Sequence, residues 1–174
     1  MSRIQTLSRL ARRLFWLILL VSPLAVISYW STDGALLQAL HFQLYSLPLP
    51  PLHTVSSSVK FLAFLVTLIP LGLFMAMVYH ASRLFRLYEH GEIFNAHCAR
   101  RIRNVAVMLL IYEVTRPIYD VLISFIMTYH SGVLIHVVFD VSDLIALVLG
   151  VLLFVIGWVM LEANDLKAEQ DLTV

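Results

Sequence analysis

The chain has 174 residues, of which 60% are hydrophobic and only 13% charged, with a formal net charge of +1. Soluble domains carry about 25% charged residues, so this composition excludes a water-soluble globule. The high hydrophobicity excludes disorder, and the lack of a basic surplus argues against direct nucleic-acid binding.

What remains is a small, single-domain membrane protein of all-α class, a four-helix bundle. A helix crosses a hydrocarbon core about 30 Å thick with about 20 residues, and four apolar stretches meet that need: about residues 14–29, 61–79, 105–127 and 144–161. They are continuously apolar, not alternating, which disfavours barrel strands. The first follows Arg12 and Arg13 and has some features of a signal peptide. Around Leu24-Ala25-Val26 it offers no clean small-x-small cleavage pattern, so it reads as a retained helix.

Between the first two stretches lies a loop over 31–58 with almost no charge and a Leu-Pro-Leu-Pro-Pro run at 47–51. Its middle, Ala35 to Tyr45, places Leu36, Leu37, Leu40 and Leu44 on one face of a short interfacial helix. The connection between stretches two and three reads as a helical extension, Ser82 to Tyr88, stopped at Gly91. Asn95 is then placed to cap the helix that leads into the third stretch. The second outer loop, about 128–143, holds His130, His136, Asp140 and Asp143. After the fourth stretch, Glu162–Asp171 should carry the helix on before it frays at Leu172-Thr173-Val174.

Orientation follows from the basic residues. Ten of the twelve Lys and Arg residues fall on one side: Arg3, Arg9, Arg12, Arg13, Arg83, Arg86, Arg100, Arg101, Arg103 and Lys167. Positive residues stay cytoplasmic, so both termini are expected inside. Lipid contact accounts for the inner basic clusters, and docking of a partner is the alternative.

The third stretch carries Glu113, Arg116 and Asp120, whose spacings of three and four put them on one helical face. Each ionisable group costs about 2.5–3.5 kcal/mol at a bilayer centre, so the three are expected to pair and to face the other helices. Arg116 is within reach of both carboxylates, and a surplus carboxylate held from water tends to keep its proton. Pro117 frees the carbonyl of Glu113, and Tyr112, Thr115 and Tyr119 add hydroxyls nearby. The cluster suits an ion, proton or small-ligand site, or a protonation switch. A purely structural ion pair that fixes helix packing is the plainer alternative.

Other chemistry is poorly supported. All seven histidines sit at helix ends or in loops, which disfavours a haem held inside the bundle. His130, His136 and Asp140 have zinc-type donors, but solvated interfacial histidines account for them. No phosphate loop, HExxH pair or GxSxG elbow occurs. Cys98, the single cysteine, precludes an intramolecular disulfide, and beside His97, Arg100 and Arg101 it would be reactive only if exposed. No enzyme, cofactor or metal is therefore expected.

Two segments resemble a known family. They are Leu84-Phe85-Arg86-Leu87-Tyr88-Glu89-His90-Gly91-Glu92-Ile93-Phe94, followed by Asn95 and Arg100-Arg101-Ile102-Arg103, and the tail Leu161 to Val174. Together with the four-span layout these resemble the bacterial membrane proteins called domain of unknown function 2975, over roughly half the chain. That resemblance implies no activity, but it implies a gene neighbourhood that includes a small helix-turn-helix regulator. Arg86, Gly91, Phe94, Arg100, Arg101 and Arg103 would then meet that partner or lipid. The function expected is a non-enzymatic sensor or regulator. Its rival is a small transporter or proton/ion pathway, which requires a homo-oligomer because one four-helix chain has little room for a pore.

Overall fold

The computed structural model describes residues 3–32, 52–91, 95–129, 137 and 140–172. Four long helices account for nearly all of them: α1 (Arg3–Ser31), α2 (Ser57–Glu89), α3 (Ala96–Thr128) and α4 (Val141–Leu172), with a single 3-10 turn at Leu52–Thr54 before α2. At 1.5 Å per residue they span about 43–50 Å, more than a bilayer core. The apolar stretches are thus the middles of longer rods. Three helices, α1, α2 and α4, are both long and apolar enough to cross a membrane. The fold is therefore an all-α four-helix bundle of membrane type. The predicted helix over 35–45, Phe94, and the histidines His41, His130 and His136 lie outside the described residues.

Local chemistry sets the ends of the elements. Gly91 adopts φ 82° after the last turn of α2, a left-handed conformation that glycine takes without penalty. The Asn95 side chain accepts a hydrogen bond from the His97 backbone N–H, satisfying one of the orphan donors that open α3. Asn95→Ala is expected to cost about 1 kcal/mol, visible as a lowered thermal midpoint in detergent. Pro23, Pro70 and Pro117 all lie inside continuous helix, which membrane helices tolerate when neighbours re-satisfy the freed carbonyls.

The helices pack as a folded row: α1 on α2, α2 on α3, α3 on α4. All three contacts are antiparallel. Arg12 and Phe15 meet Glu89 and Phe85, Thr67 meets Tyr119, and Gly157 meets Arg103. One end of the bundle therefore gathers the start of α1, the end of α2, the start of α3 and the end of α4. The ten basic residues grouped by sequence all belong to that end.

Burial is concentrated at two places. An apolar cluster of Val26, Trp30, Leu52, Ala63, Tyr119, Ile123 and Met127 joins α1, the 3-10 turn, α2 and α3 at the end opposite the arginines. At the basic end, Cys98 and Ala99 have no exposed surface. The outermost helix α4 shows one narrow packed stripe, Asp143, Ala146, Gly150, Gly157 and Asn164 among its members, and from Val141 to Ala168 its other faces are exposed. The spacing of seven from Asp143 to Gly150, Gly157 and Asn164 is the repeat of a helix that keeps one seam toward one partner. Its small residues permit close approach.

Candidate functional site

The middle of α3 carries the charged residues, and α4 supplies what they meet. Arg116 donates Nη1 to Asp143 Oδ1 and forms an ion pair there. Asp143 sits in the first turn of α4, where the partial positive charge of a helix N-terminus favours a carboxylate. Its other oxygen accepts from the Asp140 backbone N–H at 3.0 Å. Asp140 Oδ1 in turn accepts from Val141 N–H at 2.7 Å. The Asp143 side chain thus makes the return half of a capping box, the Asp143 N–H going to the Asp140 carbonyl at 3.0 Å, and an arginine from the neighbouring helix is attached to it.

This differs from the expectation that Arg116 would be shared by Glu113 and Asp120. Spacing along α3 leaves both of its own carboxylates within reach, but the seam with α4 turns Arg116 toward Asp143. Glu113 then keeps one buried oxygen, Oε2, with no hydrogen-bond partner. Asp120 is buried, 7% exposed, and engaged in an interaction of its own. None of the three is left facing outward: Glu113 and Arg116 are half-buried and Asp120 more so. An ionised carboxylate oxygen buried without a donor is costly, which makes Glu113 the least satisfied acid of the site.

On the other flank of α3, buried Tyr119 stands 3.3 Å, hydroxyl to hydroxyl, from Thr67 of α2, and Thr67 donates to its own helix at Ala63 O, 2.8 Å away. Tyr119 is thereby part of the apolar cluster and of a polar link between α2 and α3. Tyr112 is half-buried and engaged. Pro117 lies one residue beyond Arg116 in unbroken helix.

At the basic end the residues predicted to meet lipid or partner are divided. Glu89, whose side chain is 10% exposed, pairs with Arg12 at 3.0 Å and Arg9 at 3.6 Å. Arg101 Nη1 lies 3.2 Å from His80 Nδ1, and Arg103 backs against Gly157. Arg86 and Arg100 are exposed. Cys98 is fully buried, so its basic neighbours do not make an accessible thiolate. No group of three or more His, Cys, Asp or Glu suited to a metal occurs among the described residues.

Sequence reasoning missed Asp143 and Glu89 as partners. The signal for Asp143 was present: Asp140 and Asp143 have the spacing of a helix start, and Asp143 begins the seven-residue series through Gly150 and Gly157. Glu89 is a lone acid in a basic stretch, and only the packing of α1 on α2 brings it to Arg9 and Arg12.

A family described as "Protein of unknown function (DUF2975)" matches residues 4–174. The chain belongs to the DUF2975 family. The match takes in α1 and the segment before α2, beyond the connection and tail that carried the sequence resemblance. No curated protein and no solved structure matches this DUF2975 chain.

Proposed function

We propose that this DUF2975 protein is a non-enzymatic regulatory protein of the bacterial inner membrane. In this reading α3 is also a span, the third of four, and the basic end lies in the cytoplasm by the positive-inside rule. The polar contact between α3 and α4 responds to a proton or small ligand. The 89–96 connection and the projecting end of α4 pass that state to a cytoplasmic partner, a small helix-turn-helix regulator being the one the family resemblance implies.

The observation that carries the reading is the buried, unpartnered oxygen of Glu113 one turn from an arginine already committed to Asp143. Such a carboxylate can gain a proton or a ligand, and either event changes the charge felt by the seam that holds α4. The test joins binding to output. The regulator encoded beside the gene is expected to co-purify with the protein from mild detergent. Glu113→Gln is expected to change expression of that regulator's targets by at least about fivefold, the low end of ordinary coupling energies. Absence of a complex, with unchanged targets on deletion of the gene, overturns the proposal.

The same oxygen supports a second reading, a proton or ion pathway in an oligomer. Liposome flux that Glu113→Gln abolishes would favour it, and flux equal to that of empty liposomes removes it.

A further inference from the structure

The arginines at the basic end are unequally compensated. On the α1/α2 seam Glu89 neutralises Arg9 and Arg12. On the α2/α3 seam no acid does the same among the described residues. Arg83 is oriented by a neutral group, donating from Nε and Nη2 to the Tyr79 hydroxyl at 3.0 and 2.9 Å. Arg86 and Arg100 are exposed and their side chains enter no ion pair among the described residues. Arg83 and Arg86 stand one turn apart on α2. The antiparallel register, set by Thr67 with Tyr119 and His80 with Arg101, brings Arg100 of α3 to their level.

The exposed stripes leading away from these arginines are apolar on both helices. On α2 the stripe runs back through Tyr79, Gly72, Leu68, Leu65 and Phe61, and on α3 it runs forward through Ile111, Ile118, Leu122 and Phe125, all exposed. From Arg83 to Phe61 is about 33 Å of helix, the thickness of a hydrocarbon core. Gly72 falls midway, and open space surrounds the position a Cβ would take there. The seam therefore offers an apolar lane that ends in guanidiniums with no anionic partner among the described residues.

We propose that this seam is a binding site for anionic phospholipid. Arg86 and Arg100 hold the headgroup phosphate by charge-assisted hydrogen bonds, Arg83 is steadied beside them by Tyr79, and the acyl chains lie along the lane over Gly72. A free phosphate would share the headgroup contacts but not the lane, so the bilayer lipid is the occupant. The inference uses only the membrane character of the fold and stands apart from the signalling role proposed above.

The test is thermal unfolding of the full chain in neutral detergent, with phosphatidylglycerol, phosphatidylcholine or inorganic phosphate added. Phosphatidylglycerol is expected to raise the midpoint by about 4 °C, and the other two are expected to leave it unmoved. The double substitution Arg86→Gln with Arg100→Gln should abolish the rise, while Arg9→Gln with Arg12→Gln should preserve it. An equal rise with phosphatidylcholine or with inorganic phosphate overturns the proposal. So does a rise that survives the loss of Arg86 and Arg100. The three additions to the unsubstituted protein decide the matter even if a variant fails to fold.

Discussion

Arg116→Leu is expected to destabilise the protein by about 3 kcal/mol, read as a lowered unfolding midpoint in detergent. The loss arises less from the missing attraction than from what stays behind: Asp143, with a side chain 12% exposed, would keep its charge and lose its cation. Arg116→Met combined with Asp143→Leu should recover most of the loss, since apolar replacement of a buried pair is often close to neutral. A residue of about 1 kcal/mol should remain, because Asp143 also accepts from the Asp140 N–H at the start of α4. Equal damage from the single and double variants would mean that Arg116 acts through contacts other than Asp143. No damage from the single variant would mean that the pair is solvated and carries little.

The second large effect is expected at Gly157. A Cβ added there would meet the Arg103 backbone N at 3.0 Å and the Ala99 carbonyl oxygen at 3.2 Å, atoms of a helix backbone that can yield only if α3 and α4 part. Gly157→Ala should cost about 2 kcal/mol. At Gly150 the new atom would meet Leu110 Cδ2 at 2.8 Å, the far end of a side chain that can turn aside, and the cost should be smaller. At Gly72 nothing lies within 4 Å, so alanine should be neutral or gain up to about 1 kcal/mol from helix propensity. The order Gly157, Gly150, Gly72 is the prediction, checked by unfolding midpoints of the three variants. Equal effects at Gly157 and Gly72 would contradict the close helix contact.

Much of this architecture is legible in the residues. Composition alone demands a membrane protein, and the turn chemistry of Gly91 and Asn95 marks where α2 stops and α3 starts. The Arg, Lys pattern groups the segments that the antiparallel row brings to one end. What spacing along a single helix cannot decide is the choice of partner. Glu113 and Asp120 each stand one turn from Arg116 on α3, and the selection of Asp143 depends on the register of another helix. That register is written in the small residues of α4, a pattern that reads as mere apolarity until a neighbour is set against it. The row-like order of packing is likewise invisible to periodicity, because within the apolar stretches the exposed faces are as apolar as the packed ones and only contact distinguishes lipid from protein.

The pairing of Arg116 with Asp143 bears on how the chain reaches its place. Offered alone to the insertion machinery, α3 is the least acceptable of the four helices, carrying three ionisable side chains through its middle, while α4 is strongly apolar. The anion that offsets the guanidinium is not made until 27 residues later, at the head of α4. In the four-span reading proposed above, synthesis therefore runs past Asp143 before α3 settles, and the last two helices enter the bilayer as one hairpin instead of one after the other.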